Sequence, residues 1–176
     1  MSIDSLNFLV ALGTVGMQVL AVVLFALYFL RNDPKFSPIA AFVSRWGLWF
    51  SVLLTFVSVV MSLVYSEYFG LIPCSLCWFQ RIFLYPQLFL FLMAAWKKDS
   101  YIADYSIVLS VFGGAIALYQ HYIQMVGESP LPCPAGGGDC VKRFLFEFGY
   151  ITFPLVAFSA FALLIVVMLF VRNRRA

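Results

Sequence analysis

The sequence predicts an all-α integral membrane protein with five transmembrane helices. Of its 176 residues, 64% are hydrophobic and only 11% are charged, whereas a soluble domain is roughly half apolar and a quarter charged. The mean hydropathy is +0.98. Five apolar runs are long enough to cross a bilayer, which takes about 20 residues. These runs are Leu6–Leu30, Trp46–Tyr65, Trp78–Trp96, Tyr105–Val126 and Phe148–Val171.

Local features refine the five helices. Pro86 and Pro154 predict kinks in the third and fifth helices, and Gly113–Gly114 predicts close packing of the fourth. The segment Met1–Ser5 carries Asp4 rather than a basic residue, and the run after it is too long for a cleavable signal. We therefore expect the first run to be a helix of the mature protein.

Basic residues predict the orientation of the chain. Eight of the 11 Lys and Arg residues fall on one side if five helices alternate. They are Arg31, Lys35, Arg45, Lys97, Lys98, Arg172, Arg174 and Arg175. The positive-inside rule then places the N-terminus outside and the C-terminus in the cytoplasm. The net charge is only +3, which gives no indication of a nucleic-acid partner.

Four cysteines form two pairs, Cys74/Cys77 and Cys133/Cys140, and both pairs fall in the outside loops of this topology. Disulfides persist on that side of a bacterial membrane. Cys74 and Cys77 have the C-x-x-C spacing of redox-active dithiols at the start of the third helix, where the helix N-terminus stabilises a thiolate. A structural disulfide and half of a zinc site are the alternatives. Neither pair is accompanied by a histidine in its own loop, which disfavours zinc.

Two polar residues lie near the outer ends of the helices. Arg81 follows Cys77 by four residues and shares its helix face, and a charged residue inside a membrane helix is a functional candidate. It either snorkels to the headgroups or stabilises a thiolate or a polar ligand. His121 lies at similar depth on the fourth helix and is either a packed polar residue or a ligand for the same group.

The loop Gly127–Glu147 is long for a helix connection, and loops of this length tend to be functional or disordered. It contains Cys133 and Cys140 among several prolines and glycines. That composition suits a cysteine pair that must meet different partners. The aromatic stretch Phe144–Phe148 is either a membrane-surface segment or the start of the fifth helix.

Several segments together resemble one known family, the quinone-linked DsbB family, called BdbC in Gram-positive bacteria. Its P-C-x-L-C-x-x-x-R signature is similar to Pro73-Cys74-Ser75-Leu76-Cys77-Trp78-Phe79-Gln80-Arg81. The family's histidine segment resembles Tyr119-Gln120-His121-Tyr122, and the start of its last helix resembles Phe148-Gly149-Tyr150-Ile151-Thr152-Phe153-Pro154. The likeness spans roughly Trp46 to Val171.

The resemblance implies a four-helix transmembrane bundle with one extra N-terminal helix. Residues 1–45 would form the extra helix and a cytoplasmic linker, 46–171 the redox domain, and 172–176 a basic cytoplasmic tail. It also implies an enzyme of the bacterial cytoplasmic membrane that reoxidises an extracytoplasmic thioredoxin-fold, DsbA-like protein. The electrons would pass to a membrane quinone, either ubiquinone or menaquinone.

The resemblance assigns Cys74, Cys77, Cys133 and Cys140 as catalytic and implies attack of the partner on Cys133, then of Cys140 on Cys74. Because Cys77 lies one turn deeper and beside Arg81, we expect it to face the quinone. We expect Cys74 to lie nearer the water. We assign Arg81 and His121 as quinone-binding residues.

Three other interpretations are alternatives to this one. A vitamin K epoxide reductase-like quinone reductase resembles this chemistry, but in that family the loop pair precedes the C-x-x-C. A carrier of reducing equivalents from the cytoplasm would need cysteines at the midplane or inside. A membrane scaffold with two structural disulfides would not exchange with a thioredoxin-fold partner.

Overall fold

A computed structural model describes residues 3–127 and 139–173 of the chain. It contains five helices, each long and apolar enough to cross a membrane. They are α1 (Ile3–Phe29), α2 (Ser37–Leu63), α3 (Ser75–Lys97), α4 (Ile102–Val126) and α5 (Phe153–Asn173). The α2 helix continues directly into a π-helical segment, Val64–Tyr68. The all-α fold class with five spans is therefore confirmed.

The α5 helix is the centre of the molecule. Two thirds (67%) of its most apolar stretch is buried inside the protein, against 22% for α1. It packs against α4, α2 and α1, while α3 closes the bundle by packing against α2 and α4. A helix that is apolar on all sides is suited to such a central position. The result is a ring of four helices, α2 to α5, with α1 attached to the outside of α5.

Polar side chains attach α1 to the bundle at two heights. Near the N-terminal end of α1 the Tyr65 hydroxyl donates to Asn7 Oδ1 at 2.8 Å. Further along, Gln18 Nε2 donates to Ser159 Oγ at 3.1 Å, and Gln18 Oε1 accepts from the Tyr150 hydroxyl at 3.2 Å. Hydrogen bonds between helices persist in lipid because the alternative is an unsatisfied polar group in hydrocarbon. The α1 helix is therefore attached to the bundle by specific hydrogen bonds.

Two helix boundaries differ from the sequence expectation. The α2 helix begins at Ser37, well before Trp46, with a proline in its first turn where the missing N–H is harmless. The α5 helix begins at Phe153 rather than at Phe148, because Phe148 and Gly149 adopt positive φ angles of 52° and 76° that end regular structure. The stretch Phe144–Phe148 is therefore not the start of α5.

The two proline predictions have different outcomes. Pro86 lies inside α3, as expected. Pro154 is the second residue of α5. A helix N-terminus needs no hydrogen bond from that position, so the expected kink at Pro154 is wrong.

The expected close packing at Gly113–Gly114 is confirmed at the contact between α4 and α5. A methyl group added to Gly113 would lie 2.7 Å from Cε1 of the Phe161 ring, and Phe161 is fully buried. A methyl group on Gly114 would meet Phe161 Cβ at an ordinary 3.6 Å. The two neighbouring glycines thus differ in how much space surrounds them.

This difference gives a stability prediction. We expect Gly113→Ala to overpack the α4–α5 contact at a cost of about 1–3 kcal/mol, partly offset by alanine's better helix propensity, which is worth about 1 kcal/mol. Gly114→Ala receives the same propensity gain without the clash. Thermal unfolding in one detergent should therefore give a lower midpoint for Gly113→Ala than for Gly114→Ala. Equal midpoints would show that the Phe161 ring can move aside without a measurable loss of stability.

Candidate active site: a dithiol beside a lipid-facing cavity

The C-x-x-C pair lies at the N-terminus of α3. Cys74 is the N-cap residue, with extended backbone angles (φ −73°, ψ 169°), and its sulfur accepts the Cys77 backbone N–H at 3.4 Å. The two sulfur atoms are 2.8 Å apart, and both residues are free cysteines. An N-terminal position stabilises negative charge on either sulfur through the unpaired N–H groups and the helix dipole. The sequence places the pair just ahead of the third helix; in the structure α3 begins earlier, at Ser75, so Cys74 caps the helix and Cys77 lies in its first turn.

Cys74 is buried under the segment that carries Cys140. It is only 2% exposed, and it packs in one cluster with Ile123 and Cys140. Cys140 is disulfide-bonded, and its sulfur lies 3.9 Å from the Ser75 hydroxyl. The sequence led us to expect Cys74 nearer the water than Cys77, but the Cys74 side chain at the N-terminal end of α3 is buried, whereas Cys77 is half-buried. Cys133 lies outside the described residues.

The surroundings of Cys74 favour the protonated form of its thiol. Its hydrogen bond with the Cys77 sulfur, together with burial, raises the pKa of the Cys74 thiol above its ordinary value. When one proton leaves the reduced pair, the remaining proton therefore stays on Cys74. The negative charge is then on Cys77, which is the sulfur closer to Arg81 along the helix face.

Gln120 of α4, which is not among the site residues predicted from the sequence, contacts both sulfur atoms. Its Nε2 donates to Cys74 Sγ at 3.1 Å and to Cys77 Sγ at 3.3 Å. Its Oε1 accepts from Gln80 Nε2 of α3 at 2.6 Å. Gln80 and Gln120 are both buried, and two glutamines buried at the same depth of adjacent membrane helices were the available signal.

One helical turn further on, Gln124 holds the Cys140 segment in place. Its Nε2 donates to the backbone carbonyls of Cys140 and Lys142, each at 3.2 Å. The same helix therefore orients both cysteine-bearing segments, with Gln120 on the dithiol and Gln124 on the loop above it.

Arg81 is anchored to the end of α2. Its Nε donates to the Ser62 hydroxyl and its Nη2 to the Ser62 carbonyl, both at 3.0 Å. The guanidinium also lies over the rings of Trp78 and Tyr85, at 5.3 Å and 6.0 Å. Within the described ranges no carboxylate lies at salt-bridge distance from Arg81, since the ion pair found there joins Arg172 to Asp104. The positive charge of Arg81 is thus held in place by Ser62 and has no ion-pair partner in residues 3–127 and 139–173.

A cavity of about 660 Å³ extends from these groups between α1, α2 and α5. Its polar end is lined by Cys74, Cys77 and Arg81 together with polar and charged neighbours, namely Gln80, Gln120, Gln124, Asp139 and Lys142. Mostly apolar side chains of α1, α2 and α5 line the rest. The π-helical residues Tyr65 and Ser66 also contribute to the wall; π turns inside α-helices occur frequently at functional sites. The size and the mostly apolar lining are those of a small-molecule site with a few polar groups at one end.

His121 lies apart from this cavity. Its Nδ1 is 2.8 Å from the Thr152 hydroxyl, just ahead of α5, and it is not among the described residues that line the cavity. The structure thus brings together Cys74, Cys77, Arg81 and the Cys140 segment but not His121. A role for His121 in binding a quinone stays a prediction.

The fold and the site define a class of protein: a helical, multi-pass membrane protein with a dithiol poised for thiol–disulfide exchange. Residues 44–171 match the model of the family described as Disulfide bond formation protein DsbB. The chain therefore belongs to the DsbB family, as the motif predicted, and is a membrane protein of disulfide bond formation.

Individual relatives agree with this assignment. The SPbeta prophage-derived disulfide bond formation protein B of Bacillus subtilis (strain 168) is 40% identical over 111 residues, which cover 63% of this chain and 75% of that protein. Disulfide bond formation protein C of the same organism is 30% identical over 130 residues, covering 73% and 94%. A probable disulfide formation protein C of Bacillus cereus is 35% identical over 122 residues, covering 69% and 84%. No solved structure matches the chain significantly.

The contact of Gln120 with both sulfurs gives a reactivity prediction. A hydrogen bond to a charged group contributes about 1.5–3 kcal/mol. Gln120→Leu should therefore lower the thiolate population, and the higher intrinsic nucleophilicity of a more basic thiolate compensates for about half of the effect. We expect alkylation of the reduced pair by iodoacetamide at pH 7 to slow by about fourfold to fifteenfold. The measurement uses a Cys133→Ser/Cys140→Ser background, so that only the C-x-x-C pair reacts.

Gln124→Leu is the matched control, because its amide donates to backbone carbonyls and not to sulfur. Its alkylation rate should stay close to that of the parent protein. Equal slowing in both variants would mean that any glutamine on this face of α4 acts only by loosening the bundle.

Proposed function

We propose that this protein reoxidises an extracytoplasmic thioredoxin-fold, DsbA-like dithiol protein and passes the electrons to a membrane quinone. One observation carries the proposal. The dithiol lines the same end of a largely apolar cavity as the Arg81 guanidinium, which has no ion-pair partner among the described residues, while the disulfide-bonded Cys140 packs against Cys74. Exchange toward water and electron transfer toward lipid can thus start from the same pair of sulfurs.

The residues around the cavity fit a quinone. Arg81 offers a fixed cation to a ring oxygen that gains negative charge, and its bonds to Ser62 hold it in position. Tyr85, one turn further along α3, also lines the cavity, and its buried hydroxyl has no hydrogen-bond partner within the described parts of the chain. Buried polar groups normally have such a partner. A quinone bound here supplies a two-electron sink that takes up two protons as it becomes a quinol.

The cysteines of the chain would act in sequence. The partner's thiolate attacks the Cys133–Cys140 disulfide at Cys133. Both this pairing and this attack site rest on the family resemblance. A second partner thiol releases the mixed disulfide, so the partner gains a disulfide and the loop pair becomes a dithiol. Cys140 then attacks Cys74 of the oxidised Cys74–Cys77 pair, and Cys77 leaves as a thiolate. Closure of the Cys133–Cys140 bond leaves Cys74 and Cys77 reduced, with both electrons beside the cavity.

Two features support this order. Cys140 packs against Cys74 and approaches Ser75, so the loop cysteine needs little movement to reach the outer sulfur. Attack on Cys74 makes Cys77 the leaving thiolate, so the charge is produced near Arg81. Once closure of the loop disulfide releases Cys74, the raised pKa of that thiol favours its protonated form.

The proposal includes a location in the bacterial cytoplasmic membrane, with the cysteines on the outer side. It rests on the basic residues at the opposite ends of the helices, which the positive-inside rule assigns to the cytoplasm. Two exposed tyrosines provide matched reporters for this arrangement. Tyr68 lies at the end of the π-helical segment before the C-x-x-C, and Tyr101 lies between α3 and α4.

The orientation predicts opposite labelling of these two positions. In a chain without its native cysteines, Tyr68→Cys should react with a membrane-impermeant maleimide in spheroplasts. Tyr101→Cys should react only after the membrane is permeabilised. The reverse pattern would invert the topology and place the dithiol in the cytoplasm.

The assignment of the two sulfurs gives a spectroscopic prediction. Cys74→Ser frees Cys77 as a thiolate, and an electron-rich thiolate against an electron-poor ring should produce a visible charge-transfer absorption band when quinone is added. Cys77→Ser should show no such band. A band in Cys77→Ser and none in Cys74→Ser would reverse the roles of the two cysteines.

Arg81 is tested in the same system. Arg81→Met should weaken the band of the Cys74→Ser protein and raise the apparent KM for quinone, because it removes the charge near both groups. Arg81→Lys keeps the charge and should have a smaller effect. If no variant shows a band and Arg81→Met leaves quinone kinetics unchanged, the quinone does not bind in this cavity.

A further inference from the structure

One face of α1 forms a wall of the cavity. Leu6, Val10, Gly13 and Met17 line it, and their spacing of three or four residues places them on a single side of the helix. From Leu6 to Met17 this wall extends roughly 16 Å along the helix axis. The opposite wall belongs to α2, from Phe50 onward, and to the π-helical residues Tyr65 and Ser66 that follow it.

The space between the two walls is a consequence of the packing. Both α1 and α2 pack on α5, while the contacts between α1 and α2 themselves are few. The bonds from Asn7 and Gln18 to the bundle fix α1 in this position. Residues 44–171 carry the match to the family model, so the wall formed by α1 is an addition to the part of the chain that defines the family.

The part of the cavity that lies between α1 and α2, which we call the groove, changes in polarity along its length. One end contains the sulfurs and Arg81 with the polar side chains around them, and the rest is lined mainly by aliphatic and aromatic side chains. Gly13 widens it, since no atom lies within 4 Å of a methyl group built on that residue. An elongated occupant with a polar, electron-accepting head and an apolar tail matches this gradient.

We propose that the groove between α1 and α2 holds the polyisoprenoid tail of the quinone whose head group binds beside Cys77 and Arg81. This inference rests on the proposed function. Continuity carries it, because the head-group end and the apolar groove are one cavity. The extra helix then serves to orient the lipid electron acceptor, so that the ring enters the cavity with its tail directed along α1.

The experiment blocks the groove at its widest residue. Full-length protein in lipid nanodiscs is titrated with two quinones of the same ring, one with a long polyisoprenoid tail and one without a tail. Binding is measured by quenching of tryptophan fluorescence, which Trp78 beside Arg81 should report. Gly13→Phe fills the groove, and Gly16→Phe is the matched control, because Gly16 also has open space around it but does not line the cavity.

We expect Gly13→Phe to raise the Kd of the tailed quinone roughly fivefold or more, since overpacking costs at least about 1 kcal/mol. The tail-less quinone should bind Gly13→Phe as it binds the parent protein, and Gly16→Phe should bind both normally. Unchanged binding of the tailed quinone to Gly13→Phe would overturn the inference and leave the groove to an acyl chain of the bilayer. Equal loss of both quinones would also overturn it, because the new side chain would then act on the head-group end.

Failure of the underlying proposal has a different signature. If the parent protein binds neither quinone, the quinone site itself is absent and the groove assignment is lost with it. If the parent protein binds both quinones with no preference that depends on the tail, the quinone site stands and the role of α1 does not.

Discussion

The hydrogen bonds of the Gln120 amide are the interaction on which the rest of the site depends. In hydrocarbon an unpaired amide is costly, and this one satisfies its donors on two sulfur atoms and its acceptor on Gln80. The α3 and α4 helices are therefore fixed to each other at the depth where the chemistry takes place. Cys74 and Cys77 are oriented by the same contact, and so is the face of α3 that presents Arg81 to the cavity.

Other amides in the membrane-spanning helices also join neighbouring helices. Gln87 of α3 is fully buried and accepts hydrogen bonds from Ser106 and Ser110 of α4, at 2.7 Å and 3.3 Å. Gln18 and Asn7 connect α1 to the rest of the protein. Apolar packing alone discriminates poorly between helix arrangements in lipid, because lipid tails are as apolar as the side chains. The amides supply directional contacts that favour one arrangement of the helices.

Much of this structure could be predicted from the sequence, and what could not has an identifiable physical reason. Long uncharged runs predict helices because lipid leaves the backbone no alternative, and the C-x-x-C ahead of a run predicts a dithiol at a helix N-terminus. The start of α5 was misplaced because aromatic residues before Phe153 are as apolar as those after it. Gln120 was missed because the contact of one amide with two sulfurs depends on how α4 is rotated against α3, and no spacing within either helix encodes that rotation.

The burial of Cys74 bears on which thiols could react with it under the proposed function. A Cys74–Cys77 disulfide that small thiols could reach freely would be reduced by any of them, whether or not they came from the dithiol partner. Cys74 is only 2% exposed and packs against Cys140, so its own surface offers little access to thiols in solution. Selectivity for one electron donor would then depend on the segment that carries Cys140, and the Cys74–Cys77 pair would need no recognition surface of its own.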